Sequence, residues 1–272
     1  MRVLMYHEVG ATPGGRSIYA MDRGRFAAHA DWLAARVAAG WAARRAEDPV
    51  AAGVAITFDD GYADALEVAA PLLAARRLPF TVFVTMGHVE SGDRRYLSEA
   101  GLRELAAAGA TVGSHGRTHA PLTSCDDAAL DDELRRSREW LESVLGRTVG
   151  TLSYPHGAVD GRVRDAAARA GYAVGYTSRF GAVPGGCVPV ARARGAVWAG
   201  EGVGALGGEL AGRGGWRAGR GGRAARSCRA PRCAPRRRGT TRSPSSCRCT
   251  TTAPPSSGRS ARRSDRRWRR AR

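Results

Sequence analysis

Two adjacent carboxylates stand at the end of an apolar segment of the sequence. The run Val54–Phe58 has the short, continuous apolar pattern of a buried strand, and Asp59, Asp60 and Gly61 follow it directly. Two carboxylates this close disfavour ionising together, so an unused pair beside a buried strand would be costly. One Asp in this position could serve as the N-cap of a following helix. Capping accounts for one of the two carboxylates, and the second points to chemistry.

Two histidines spaced four residues apart follow another candidate strand, Thr111–Ser114. They are His115 and His119. In one helical turn or a tight loop this spacing points both imidazoles toward a common centre, although two unrelated surface histidines would give the same pattern. Two imidazoles and one carboxylate form a three-ligand site with open positions, which suits Zn²⁺ or another divalent first-row ion. Open positions are typical of a catalytic metal site, so we predict one here.

Three short motifs follow one another along the chain: Thr57-Phe58-Asp59-Asp60-Gly61, Ser114-His115-x-x-x-His119 and Ser153-Tyr154-Pro155-His156-Gly157. Together they resemble the polysaccharide deacetylases of carbohydrate esterase family four, which carry the NodB-homology domain. The opening Val3–Val9 and the segment Leu130–Gly146 resemble the branch typified by poly-N-acetylglucosamine deacetylases. The resemblance extends from Arg2 to Gly181, two thirds of the chain.

The resemblance implies a role for each motif residue. In the family the first Asp of the pair is the general base, and the second Asp holds the metal together with the two His. Carried over, Asp59 is the base, and the ligands are Asp60, His115 and His119, with Zn the expected ion and Co, Ni or Fe the alternatives. In the branch that opens with Tyr-His, that His is the general acid, which makes His7 the candidate. A hydrogen-bonded core histidine is the alternative interpretation of His7. The third motif implies substrate contacts from Tyr154, Pro155 and His156.

The sequence departs from the family pattern in the third and fourth motifs. Ser153 stands where the family usually has an Arg that braces the catalytic Asp, and His156 replaces the usual Tyr. The family's fourth motif, an Asp-Trp segment, has no match in residues 175–183. These differences leave open which group orients Asp59.

The function that the resemblance implies is removal of N-acetyl groups from the amino sugars of a poly- or oligosaccharide, with release of acetate. The expected partner is therefore an acetylated amino-sugar polymer or oligosaccharide. The same site could cleave O-acetyl esters, and a catalytically silent carbohydrate-binding relative is a further interpretation. Because an ester needs less help from an acid than an amide does, His7 favours the amide.

The segments around these motifs alternate between apolar strands and helical patterns. Such alternation predicts an α/β architecture with a parallel sheet, open or closed, whose functional groups collect where strands end. The resemblance implies a distorted (β/α)-barrel of the NodB-homology type with about six or seven parallel strands. Helical patterns lie around Phe26–Val37, Leu66–Leu73, 98–109, 126–145 and 160–170, and the last two of these stop at Gly146 and Gly171. Candidate strands are Val3–His7, Val54–Phe58, Phe80–Val84, Thr111–Ser114, Thr151–Tyr154 and Ala173–Thr177.

The positive charge of the chain is concentrated at its C-terminus. All 43 Lys+Arg residues are Arg, and the formal net charge is +18. Residues 213–272 hold 20 Arg and one acid, a net charge of +19, which leaves 18 − 19 = −1 for residues 1–212. We therefore separate a catalytic domain, residues 1–212, from an Arg-rich tail, residues 213–272. The tail lacks the aliphatic residues that a core needs and is expected to be disordered.

The tail has three interpretations: an arm that binds phosphate polymers through charge, a linker, or the product of a shifted reading frame in GC-rich DNA. We favour the shifted frame over nucleic-acid binding, because no folded reader module accompanies the charge. Relatives often complete the barrel with a strand and a helix after the segment equivalent to residues 188–194. A frame shift that destroyed them would leave apolar surface of Val3–Tyr6 or Ala173–Tyr176 uncovered.

The sequence offers little on location. No run approaches the ~20 apolar residues of a membrane-spanning helix. The apolar stretch before His7 is too short for the core of a signal peptide. The chain as written is therefore expected in the cytoplasm, although polymer-acting relatives work outside it. The pattern does not determine an oligomeric state.

Overall fold

The computed structural model describes residues 1–10, 17–48, 52–179, 181, 183 and 191–210. The predictions for the Arg-rich tail lie outside these residues, so the boundary at residue 212 stays a prediction.

A curled parallel sheet forms the centre of the fold. Its strands are β1 (Arg2–Tyr6), β2 (Ala43–Arg44), β3 (Val54–Phe58), β4 (Phe80–Val84), β5 (Thr111–Ser114), β6 (Thr151–Ser153), β7 (Val174–Tyr176) and β8 (Gly195–Ala196). Seven of them follow in the order β7-β6-β5-β4-β3-β1-β8, while β2 pairs with β3 beside this path. All these pairings are parallel. The sheet forms a half-barrel surrounded by helices, which confirms the predicted distorted barrel.

The six predicted strands match β1 and β3 to β7 to within one residue at each end. Their side chains are almost all buried, as expected for parallel strands covered on both faces. The prediction missed β2 and β8, because a strand of two residues has no periodicity to detect.

Strand register brings the motif residues to one edge of the sheet. Tyr6 of β1 pairs with Phe58 of β3, so the next residues, His7 and Asp59, leave the sheet side by side. At the same edge β5 ends one residue before His115. The carboxyl ends of parallel strands are the usual place for a functional site in such folds.

Helices form in all five predicted segments, and two further helices, at Met86–Glu90 and Val203–Leu210, were not predicted. The helices are α1 (Arg23–Ala38), α2 (Ala70–Ala74), α3 (Met86–Glu90), α4 (Glu99–Ala107), α5 (Asp127–Asp131), α6 (Ser137–Leu145), α7 (Gly161–Arg169) and α8 (Val203–Leu210). Wide π turns at Ala65–Ala69 and Asp132–Arg136 lead into α2 and α6. Gly146 ends α6 in the left-handed conformation that C-terminal glycines supply. No described helix is both long and apolar enough to cross a membrane.

Residues 191–210 add a strand and a helix to the half-barrel. Arg192 bridges to Tyr176 at the β7 edge, and Gly195 of β8 pairs with Leu4 of β1. Helix α8 then packs against α1. The expected uncovered surface is not found at Val3–Tyr6, which are at most 3% exposed, or at Val174–Tyr176, which are buried, while Ala173 is exposed. The physical reason is that the chain still carries β8 and α8, as far as residue 210.

Candidate active site

The two adjacent carboxylates after β3 meet different partners because the backbone turns between them. Asp59 continues the strand pairing by donating its N–H to the Tyr6 carbonyl, and it is 3% exposed. Asp60 and Gly61 then take φ values of 71° and 78°. Positive φ values of this size are uncommon for a residue other than glycine, and such backbone strain is concentrated at functional sites. The next helical turn begins only at Ala65, so the N-cap interpretation of the pair is wrong.

Asp60 meets both predicted histidines. Its Oδ1 atom lies 3.3 Å from Nε2 of His115 and 3.3 Å from Nε2 of His119. One ligand atom from each of the three residues lies within 4.8 Å of the others. Oδ1 is also buried and has no hydrogen-bond partner among the described residues, which is costly for a carboxylate oxygen. An orphaned oxygen beside two imidazole nitrogens fits a divalent metal ion.

Hydrogen bonding prepares His115 as a ligand. Its Nδ1 atom lies 2.8 Å from the Ser153 carbonyl, so Nδ1–H donates there and Nε2 is left as the basic nitrogen facing Asp60. Metal-bound histidines are commonly oriented by such a second hydrogen bond. Burial acts to raise the pKa of Asp60, but the two imidazoles outweigh it and hold the pKa well below its ordinary value. The carboxylate is therefore ionised, as a ligand must be.

Glu133, which the sequence analysis missed, holds the loop between the two histidines. Its carboxylate accepts the backbone N–H of Arg117 at 2.8 Å and that of Thr118 at 3.0 Å, as well as the Thr118 hydroxyl. Glu133 is 5% exposed and lies in the π turn Asp132–Arg136. Such turns occur frequently at functional sites. The loop ends at His119 with a φ of 66°, so Glu133 supports the backbone that carries this histidine.

Arg194, also missed, orients Asp59. Its Nη1 and Nη2 atoms donate to Oδ1 and Oδ2 of Asp59, each at 2.7 Å. Two parallel bonds fix the plane of the carboxylate as well as its position. Ser153 completes the group, because its hydroxyl donates to Asp59 Oδ2 at 3.0 Å and accepts from Arg194 Nη2 at 2.7 Å.

The Arg194 guanidinium is fully buried and held on several sides. Its Nε–H donates to the Thr177 carbonyl at 3.2 Å, and the rings of Phe83 and Tyr176 lie 5.5 and 5.7 Å from its central carbon. Burial acts to raise the pKa of Asp59, but Arg194 outweighs it and holds the pKa below its ordinary value. No local pattern singles out this residue, since Arg194 is one of 43 arginines and belongs to none of the motifs.

A cavity of about 550 Å³ opens beside these groups. The predicted acid, base and ligand residues all line it: His7, Asp59, Asp60, His115 and His119. The wall also includes residues that the sequence analysis did not select: Met5, Tyr19, Ser178, Ala196 and Trp198. The structure therefore brings one candidate acid, one candidate base and three candidate ligands to a single space.

The third motif contributes one side chain to this cavity. His156, with a φ of 57°, lines the wall and its ring lies 4.5 Å from that of His119. Tyr154 is 0% exposed within the core, and Pro155 is buried beside it. Substrate contacts from the Tyr154 and Pro155 side chains are therefore not available in this structure. The motif marks the strand end correctly, but the turn after it decides which side chains face the cavity.

Comparison with known proteins gives one family. Residues 46–175 match the family model for polysaccharide deacetylase. YxkH of Bacillus subtilis (strain 168), assigned to the polysaccharide deacetylases, is 27% identical over 187 residues, 66% of this chain and 65% of that protein. The chitooligosaccharide deacetylase of Rhizobium leguminosarum bv. trifolii is 37% identical over 94 residues, 33% of this chain and 39% of that protein.

Residues 46–175 thus form a polysaccharide deacetylase domain. The match spans less than two thirds of the length of either relative. The fold agrees with that of the Streptococcus pyogenes deacetylase PplD, solved in complex with acetate, at a TM-score of 0.69 and 20% identity over 77% of this chain and 97% of that one.

The arginine that contacts Asp59 lies outside the third motif, where the resemblance had led us to expect it. Ser153 occupies the usual place in the third motif, and the guanidinium comes instead from Arg194, one residue before β8. The serine is small enough to leave room for that guanidinium and bonds to it directly. An arginine therefore still orients Asp59, but it comes from a different segment of the chain.

Replacing Arg194 by Met should destabilise the domain strongly, because the Asp59 carboxylate would stay buried without its guanidinium and keep the side-chain hydrogen bond from Ser153. Breaking one side of a buried ion pair costs about 3–5 kcal/mol, so the free energy of unfolding in urea at pH 7 should fall by about that much. Because the folded pKa of Asp59 is lowered, the stabilisation is present above the unfolded pKa of about 4 and is lost as the pH falls further. The difference in unfolding free energy between the wild type and Arg194→Met should therefore become smaller as the pH falls.

The exposed Arg179→Met is the matched control and should leave stability nearly unchanged. Adding Asp59→Asn to Arg194→Met should recover part of the loss, since the unpaired charge is removed. Equal stability of Arg194→Met and Arg179→Met would contradict the buried pair.

Glu133→Ala should weaken metal binding although Glu133 is no ligand. Residues that orient ligands typically contribute about 10–100-fold in metal affinity, and we expect a loss in that range in a zinc titration of the metal-free chain. Glu139→Ala, an exposed glutamate two turns along the same helical segment, is the control. An unchanged zinc affinity of Glu133→Ala would show that the loop holds His119 without this carboxylate.

Proposed function

We propose that this chain is a metal-dependent hydrolase that removes N-acetyl groups from the amino sugars of a poly- or oligosaccharide and releases acetate. The observation that carries the proposal is that the two adjacent carboxylates have different partners. Asp59 is paired with Arg194, while Asp60 faces two histidines, and both carboxylates line one cavity.

The metal would be held by Asp60, His115 and His119. Two imidazoles and a carboxylate suit Zn²⁺, with Co, Ni or Fe as alternatives. A divalent ion in this place supplies Lewis acidity to the acetyl carbonyl and to the attacking water. The residues that would bind the ion are held by their neighbours: His115 by the Ser153 carbonyl, and the loop of His119 by Glu133.

Asp59 would accept the proton of the attacking water. Its lowered pKa keeps it ionised at neutral pH, so it is in the right form to act as a base. The two bonds from Arg194 hold its plane, and Oδ2 lies 3.9 Å from Nε2 of His115, beside the ligand group. A base whose position is fixed before the substrate arrives loses less to reorganisation.

His7 would donate the proton that the departing amine needs. It follows β1 directly and lines the same cavity as Asp59 and the three ligands. Burial lowers the pKa of its imidazole and outweighs Asp59 and Asp60, whose charges act to raise it and so favour the protonated form that an acid needs. Overall, the amide C–N bond breaks, water supplies the new C–O bond, and acetate and a free amino sugar result.

The sugar substrate is supported by the relatives. The Rhizobium protein is named as a chitooligosaccharide deacetylase, and it is 37% identical over the 94 residues that align. The direct test is acetate release from N-acetylated chito-oligosaccharides by the zinc-loaded chain, with O-acetylated xylan as the competing substrate. Release from the chito-oligosaccharide supports the proposal. Release from xylan alone would make the protein an O-acetyl esterase, and release from neither would contradict both.

The two carboxylates should respond differently to the same substitution. Asp59→Asn removes a base but no ligand, so zinc content should stay near that of the wild type while turnover falls by about 10²–10⁴-fold. Asp60→Asn removes a ligand and should lose zinc together with activity. Asp31→Asn, an exposed aspartate paired with Arg76, is the control for both. Identical zinc content in the Asp59 and Asp60 variants would refute this division of roles.

A further inference from the structure

His7 has no hydrogen bond at Nδ1 to fix its orientation. This atom is buried and has no partner in the part of the chain that the structure describes. A histidine that transfers a proton usually relies on a second group to orient the ring. In this site the contact that can do so is a stacked ring: Tyr19 lies with its centroid 4.3 Å from that of His7, at an interplanar angle of 27°.

Tyr19 is itself held from the other side. The ring of Trp198 stacks on it at 5.0 Å and 19°. The backbone ties the segments together, because Ala199 N–H donates to the Ile18 carbonyl at 2.8 Å. The three rings of His7, Tyr19 and Trp198 thus form one stack along the cavity wall.

We infer that Tyr19 is a positioning residue that holds the His7 imidazole in the orientation needed to protonate the leaving amine. The inference rests on the proposed function, in which His7 is the acid. The flat face of the Tyr19 ring, stacked on His7, is what holds the imidazole. No bond from the Tyr19 hydroxyl to another described residue accompanies the stack, so phenylalanine should serve nearly as well as tyrosine.

This role predicts a dependence on the leaving group. An amine leaves poorly until it is protonated, whereas 4-nitrophenolate leaves from an acetate ester without help from an acid. A residue that acts through His7 therefore matters for the amide and little for the activated ester. A residue that shapes the cavity or the metal site matters for both substrates.

The experiment compares the zinc-loaded full chain with Tyr19→Leu, Tyr19→Phe and the control Ile18→Ala, whose side chain is 61% exposed. Each is assayed on an N-acetylated chito-oligosaccharide and on 4-nitrophenyl acetate. We expect Tyr19→Leu to lower kcat on the amide by about 10–100-fold and to lower ester turnover at least tenfold less. Tyr19→Phe should restore amide turnover relative to Tyr19→Leu. In a His7→Ala background, Tyr19→Leu should have no further effect on the amide.

Three results in the variants would overturn the inference. Equal losses on amide and ester in a folded Tyr19→Leu variant, or amide turnover of Tyr19→Phe as low as that of Tyr19→Leu, would mean that the Tyr19 ring does not act through His7. A higher KM with unchanged kcat would make Tyr19 a substrate contact instead. Additive losses in the His7→Ala background would separate the two residues. If the wild-type chain releases acetate from the ester but from no N-acetylated sugar, the proposed function fails, and the inference fails with it.

Discussion

The ion pair between Asp59 and Arg194 is the constraint on which the rest of the site depends. Both side chains are buried, and removing either partner would leave an uncompensated charge inside the barrel. Arg194 belongs to the segment that bridges β7 and β1, since Arg192 and Gly195 pair with those two edges. The segment that contacts both β7 and β1 therefore also supplies the guanidinium that orients Asp59.

The pair also explains how two neighbouring carboxylates can carry two different roles. Like charges on adjacent residues disfavour joint ionisation, but here each has its own compensation. The guanidinium neutralises Asp59, and the imidazoles face Asp60. The left-handed backbone at Asp60 accompanies this separation. Asp59 is thus paired with a protein group, while Oδ1 of Asp60 has no hydrogen bond among the described residues.

Most of the fold was predictable because its signals are local. Buried strands such as Val54–Phe58 are uninterrupted apolar runs, and Gly146 and Gly171 mark helix ends by their conformational freedom. Asp60, His115 and His119 could be selected because each follows a strand, and parallel strands end at a common edge.

The residues that the prediction missed act across long sequence separations. Arg194 reaches Asp59 over 135 positions, and nothing near Arg194 marks it among the other arginines. Glu133 sits in a helix where acidic residues usually face solvent, and only the tertiary fold brings it to the loop of His119. Tyr154 belongs to a motif at the cavity edge yet is buried in the core, which only the tertiary fold reveals.

The central claim is that the chain separates a metal-binding carboxylate from an arginine-paired one. Anomalous X-ray diffraction at the zinc edge, from crystals of the zinc-loaded chain, tests it most directly. The account predicts one strong peak at bonding distance from Asp60, His115 and His119, with Asp59 still paired with Arg194. A zinc ion bonded to Asp59, or a peak away from these three ligands, would contradict it.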